Sequence, residues 1–148
     1  MINNAIRKSI KLLTFEVKAT FIHKYNVLKS KKYQNQRKLK LHLACGENYK
    51  KGWVNIDLLS TNVDLSLDLR KKFPFLDSSC QEIYSEHFLE HLEYPTEVNF
   101  FLREAKRVLI PNGKITIIVP DTVWPMQSYF EGYNSVYFKI CKEKKWHP

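Results

Sequence analysis

The chain has 148 residues, a net charge of +9, and 44% hydrophobic and 14% aromatic residues, enough for one packed domain and too short for two of ordinary size. Its cysteines, Cys45, Cys80 and Cys141, are odd in number and widely spaced, which argues against a disulfide framework or a zinc cluster and for a reducing, cytoplasmic compartment. No apolar run of about 18 residues predicts a spanning helix, and no hydrophobic stretch with a small-residue cleavage site marks a signal peptide.

The charge is unevenly placed. Residues 1–40 hold 11 Lys/Arg and one acid, Glu16, whereas residues 41–148 hold 13 Lys/Arg and 14 Asp/Glu. The basicity therefore belongs to an N-terminal arm, which either contacts an anionic surface (membrane or nucleic acid) or is a solubilising extension. Within it, Ile6, Ile10, Leu13, Val17, Phe21, Tyr25 and Leu28 recur at steps of three or four, a helical stripe that could dock on the main domain, pair with another chain or lie flat on a membrane. Residues 29–40 read as a polar linker, so the expected division is a basic helix and linker at 1–37 and a main domain at 38–148.

From residue 41 the pattern changes to short apolar runs between polar turns. Strands are expected at 41–44, 53–58, 63–67, 82–85 and 114–119, the last after the Pro111-Asn112-Gly113 turn signal. Between the last two, residues 97–109 have helical periodicity, with Val98, Phe101, Leu102, Ala105, Val108 and Leu109 as the apolar face. A strand–helix–strand unit implies parallel pairing, and strands apolar throughout imply burial on both faces.

Three positions in this frame suggest a ligand site. The string Leu41-His42-Leu43-Ala44-Cys45-Gly46-Glu47-Asn48 ends a strand at small residues, where backbone can approach a ligand and N–H groups can face a carboxylate. Asp57 closes the second strand, where a carboxylate can accept from two ribose hydroxyls. It follows Gly46 by 11 residues against a usual spacing of about 20, so the intervening helix is expected to be short or replaced by a turn at 49–52. Asp68 could take an amino N–H from an adenine edge. Each aspartate could equally terminate its strand. Cys45 reads as a small buried filler.

The strings LHLACGEN, WVNID, DLRKKFPFLDSSCQEIYSEHFLEHL and EAKRVLIPNGKITIIVPD resemble, in order and spacing, the class I S-adenosylmethionine (SAM)-dependent methyltransferases, most closely small bacterial ones with a shortened first helix. The resemblance covers about half of the chain. It implies an α/β, Rossmann-like parallel sheet of about five strands flanked by helices, SAM as cofactor, and methyl transfer to an acceptor such as a glycan, a lipid precursor or a small molecule. It places Ala44, Cys45, Gly46, Glu47 and Asn48 at the methionine moiety, Asp57 and Leu58 at the ribose, Asp68 and Leu69 at the adenine edge, and Ser85 and Glu86, with His87, at the closing wall. His87, His91 and Asp121 are the candidate proton acceptors. His87-x-x-Glu90-His91 also matches a zinc-protease string and stands near a metal-binding Glu-x-x-Glu-His string of some methyltransferases, but its first glutamate is replaced, and no metal is expected.

The family pattern is not matched throughout. Ala44 replaces the first loop glycine and Asn48 stands where another glycine is common. Only 27 residues follow Asp121, where the family ends in an antiparallel hairpin; that hairpin is expected to be missing and the chain to be a fragment. Trp124, Tyr129, Phe130, Tyr133, Tyr137 and Phe138 could line an acceptor pocket or form core. The alternative to an enzyme is a degenerate, non-catalytic SAM-binding or interaction module.

Overall fold

A computed structural model of the protein describes residues 3–132 and 135–144. Contacts divide the chain into two compact units, Met1–Ile118 and Val119–Pro148. The boundary expected at 37/38 does not coincide with this division, because the N-terminal helix belongs to the same unit as the sheet.

The first unit opens with α1 (Asn4–Lys29), which runs into a 3-10 turn at Ser30–Tyr33. The sheet is formed by β1 (Leu39–Leu43), β2 (Val54–Ile56), β3 (Cys80–Glu86) and β4 (Leu109–Ile118), with α2 (Thr96–Val108) between β3 and β4. All pairings are parallel and the order is β2-β1-β3-β4. The order reverses between β1 and β3, which defines a topological switch point. Leu41, Leu43, Ile56 and Ile83 are fully buried, as strands covered on both faces require. Phe101 and Val108 of α2 complete the core, Phe101 meeting Phe73 and Phe88 at centroid distances of 5.9 and 5.4 Å.

The sheet has four strands, not five. The stretch expected as a strand at 63–67 makes a single parallel bridge, Leu65 to Ile56. Asp64 is the reason: its Oδ2 accepts the Asn55 backbone N–H at 2.7 Å and the Asn55 side-chain amide at 3.1 Å, so a side chain takes the donor on the β2 edge that a ladder would use. Strand β4 begins earlier than expected, at Leu109, and absorbs the turn signal as a bulge: Leu109 pairs with Cys80, but the next partner, of Glu82, is Lys114. A Cβ on Gly113 would lie 2.9 Å from the Ile110 carbonyl oxygen and from Leu109 Cδ2, which explains the glycine.

The loop beneath α2 is held by one polar node. Glu104, 8% exposed, accepts the Phe73 N–H at 2.8 Å and two bonds from Arg107 at 2.8 and 2.6 Å. Arg107 in turn donates to the Phe73 and Phe75 carbonyls and to Asp77. The hydrogen bonds from Arg107 hold the Glu104 carboxyl below its ordinary range against the opposing effect of burial. Among the described residues the second unit consists of α3 (Val123–Glu131) and α4 (Val136–Glu143), with Trp124 packed edge-on against Tyr137 at 5.2 Å. Tyr133 of the expected aromatic cluster lies outside the described residues.

Arg107→Met should lower unfolding free energy by about 3 kcal/mol, since it strands a buried carboxylate. Denaturant titration of Arg107→Met against Arg107→Met/Glu104→Met checks the cause, with the double variant regaining part of the loss.

Candidate functional site

The carboxyl ends of β1, β2 and β3 open into a cavity of about 590 Å³, within the range of about 300–1,000 Å³ of cofactor and small-molecule sites. It lies at the switch point, where ligands bind in open α/β sheets. Ala44, Cys45, Gly46 and Asn48 line it from β1, Asp57 and Leu58 from β2, and Asp68 and Leu69 from the following segment. Glu86, His87 and His91 line it from β3 and the turn beyond. Eleven of the fourteen residues expected at a site therefore share one wall.

The other three are placed differently. The Glu47 side chain turns to Ser60, whose hydroxyl donates to it at 2.9 Å. The Ser85 side chain is buried within β3, and its hydroxyl makes no hydrogen bond among the described residues. Asp121 belongs to the second unit, where its Oδ1 accepts the Val123 N–H at the start of α3. Phe15, His42, Leu59, Leu67, Arg70, Phe88 and Leu92 also line the cavity, unforeseen from the sequence. The signal for His42 was its position in β1 two residues before Ala44, on the same face of the strand. Phe15 and Arg70 had none, because their placement depends on how α1 docks.

The backbone is strained where it meets the cavity. Ala44 at the end of β1 has φ 52° and His87 at the end of β3 has φ 53°, a left-handed conformation that costs an L-residue about 1–2 kcal/mol. Gly46 has φ 52° and open space where a Cβ would be, so conformation, not crowding, calls for its glycine. The His87 N–H donates to the Ile118 carbonyl at 2.9 Å, and the ring Nδ1 lies 3.4 Å from Glu90 Oε1. Among the described residues no group of three His, Cys, Asp or Glu side chains forms a metal-ligating cluster.

Asp57 is the organiser of the loop. Its Oδ2 accepts the Gly46 N–H at 3.0 Å and its Oδ1 accepts the Leu59 and Ser60 N–H groups at 2.8 and 2.9 Å. One acceptor position remains on Oδ2. Asp68, 3% exposed, is gripped by Arg70, whose side chain donates at 2.9 and 3.0 Å and whose backbone N–H donates at 3.0 Å. Burial alone would raise the Asp68 carboxyl, but the hydrogen bonds and charge of Arg70, with Lys71, outweigh it and hold it below the usual carboxylate range. Arg70 also makes a bidentate pair with Glu16 of α1, both bonds 3.0 Å. Burial, then the charge of Asp57, pushes the Cys45 thiol up to about 11, so it is a packed thiol, not a thiolate nucleophile.

Segment 66–71 is pinned to α1 by further contacts. His23 Nδ1 accepts the Asp68 N–H at 3.2 Å, Asn26 Oδ1 accepts the Ser66 N–H at 3.1 Å, and Lys71 donates to the Thr20 hydroxyl at 3.1 Å. Burial, then the charge of Lys71, lowers the His23 pKa. Its ring is neutral in the fold, as an acceptor Nδ1 must be.

Fold and cavity together define a Rossmann-like α/β protein with a cavity of ligand size at the carboxyl edge of its parallel sheet. A family model described as a methyltransferase domain matches residues 41–117, just over half of the chain, and the chain belongs to that family, consistent with the class I SAM-dependent methyltransferases. No curated protein matches the chain.

Two outcomes follow. Ala44→Gly should raise stability by about 1 kcal/mol by relieving the left-handed alanine, and thermal unfolding would register an increase. Because the unfolded chain binds a proton at His23 near pH 6.5 that the folded chain resists, stability falls as pH drops below that value. Unfolding midpoints between pH 7.5 and 5.5 should decline more steeply in wild type than in His23→Gln, which keeps an acceptor but cannot be protonated; buried His42, also lowered, leaves a residual slope in both.

Proposed function

We propose that the protein binds SAM in the cavity at the switch point and transfers its methyl group to an acceptor. The observation that carries this reading is the convergence of the β1 loop, Asp57, the 68–69 segment and Glu86–His87 on one cavity of cofactor size. The residues fit such a group. Ala44, Cys45 and Gly46 bring small side chains and backbone to the cavity edge, where the methionine end of the cofactor can approach closely. Asp57 Oδ2 has a free acceptor position for a ribose hydroxyl. Leu58 and Leu69 supply apolar wall for a base, and the Leu69 N–H, unbonded among the described residues, can donate to a ring nitrogen. The locked Asp68 carboxylate serves here as the anchor that presents Leu69.

Bound SAM supplies a sulfonium-activated methyl group. The protein's part is to hold the acceptor in line and exclude water, a positioning effect worth up to about 7–11 kcal/mol. Of the histidines lining the cavity, His42 is buried against Asn55, which leaves His87 and His91 to take a proton from an acceptor, and Glu86, which accepts the Tyr84 hydroxyl at 2.7 Å, is held beside them. The non-catalytic reading rests on one observation: both aspartates are already engaged with the protein's own N–H groups.

Calorimetry with SAM tests the cofactor binding on which methyl transfer depends, and a protein that binds SAM but turns over no acceptor would favour the non-catalytic reading. Binding is expected, weakened about 10–100-fold by Asp57→Ala, the scale of lost charge-assisted hydrogen bonds, and unchanged by Lys114→Ala on β4. No heat at millimolar SAM would leave the non-catalytic module as the reading, and an Asp57→Ala variant that stays folded and binds normally would remove the ribose assignment.

A further inference from the structure

We infer that α1 docks the protein on an anionic lipid surface through the face turned away from the sheet. The helix is two-sided. Its inner side carries Glu16, Ala19, His23 and Asn26, which are partly or fully buried, and Glu16, His23 and Asn26 bind segment 66–71. Its outer side carries Ile10, Leu13, Val17, Phe21 and Leu28, all exposed, Leu13 at 66% and Phe21 at 70%. Every residue from Asn3 to Thr14 is exposed, so the first turns of the helix stand free of the described fold. A contiguous apolar stripe of this kind is a contact surface.

Charge selects the occupant. Arg7, Lys11, Lys18 and Lys29 follow one another along the flank of the stripe, at helical spacing. The single acid of the helix, Glu16, is neutralised inward by Arg70, so the outer side is apolar and cationic only. A second copy would bring two such flanks together and is repelled. A nucleic-acid backbone satisfies the lysines but leaves isoleucine, leucine and phenylalanine in water. An anionic lipid layer satisfies both, headgroups the cations and acyl chains the stripe. No helix among the described residues is long and apolar enough to cross a membrane, so α1 lies on the surface. Phe15, on the inner side of the same helix, lines the cavity, so the cavity lies about one helix diameter, roughly 10–12 Å, from the stripe. Where the methyl-transfer reading also holds, on which this last step rests, the acceptor is an amphiphile presented by the lipid surface.

The test is co-flotation of the full chain with vesicles of equimolar phosphatidylcholine and phosphatidylglycerol, against phosphatidylcholine alone. Binding is expected only to the anionic vesicles and should fall with salt. Leu13→Glu/Phe21→Glu, on exposed positions outside the cavity, should weaken it more than tenfold with the circular dichroism of the fold kept, and Lys11→Gln or Lys18→Gln about fivefold each. Equal binding to neutral vesicles, no flotation, or an unaffected double variant overturns the inference. Retention on duplex DNA that survives Leu13→Glu/Phe21→Glu assigns the arm to nucleic acid instead, and a dimer in sedimentation that this variant disperses assigns it to a second copy. Heat with SAM but no flotation sinks this inference and spares the methyl-transfer reading; flotation without heat does the reverse.

Discussion

The site depends on a buried amide. Parallel strands ordinarily need a crossover of a dozen or more residues, usually a helix, yet β1 and β2 are joined by residues 44–53 with none. Asn55, fully buried at the centre of β2, makes this connection possible. Its Oδ1 accepts the Lys50 N–H at 2.8 Å, and its amide donates to the Lys50 and Trp53 carbonyls at 3.0 and 3.1 Å. A side chain thereby satisfies the backbone groups that a helix would satisfy internally. The short connection fixes Gly46 within 3.0 Å of the Asp57 carboxylate, and so sets the floor of the cavity. His42 lies against the same amide at 3.3 Å and closes that floor from β1.

A second chain of polar contacts reaches the cavity from outside the sheet. Glu16, Arg70 and Asp68 form a relay in which two carboxylates share one guanidinium. Such a pair at a half-exposed surface contributes little to stability, but here one end is buried, and an unpaired Asp68 would be costly. The relay makes α1 part of the site: the helix that carries the exposed apolar stripe also fixes the segment presenting Leu69.

Much of this was legible in the sequence because it follows from periodicity. The α2 register, the β-branched strand at 114–118 and the alternation that places Ala44 and Gly46 beyond a buried strand are local properties. Tertiary competition was not legible. The expected strand at 63–67 fails because Asp64 captures the edge of β2, a contact between residues nine positions apart that requires the chain to fold back. Likewise, the pairing of Arg70 with Glu16 spans 54 positions and leaves no periodic trace. The sequence could show that Asp57 and Asp68 belong near a cavity, but not that one is half-buried and held by backbone N–H groups while the other is buried and held by the Arg70 side chain.

That difference separates their roles. A carboxylate recognises a ligand hydroxyl through lone pairs it can expose, and displacing a bond from Arg70 would leave the buried Asp68 carboxylate short of a partner. Asp57 can accept a ligand while keeping its three backbone donors, since its remaining position is additional to them. Asp68 is 3% exposed, with Lys71 Nζ 3.7 Å from its Oδ2, so a ligand hydroxyl has no such access to it. Its effect on any ligand passes through the backbone it orients, with the Leu69 N–H as the contacting group. A site built this way selects a ligand by the placement of an N–H donor and an acceptor around apolar walls, and the strained backbone at Ala44 turns the chain from β1 into the loop whose Gly46 holds that acceptor.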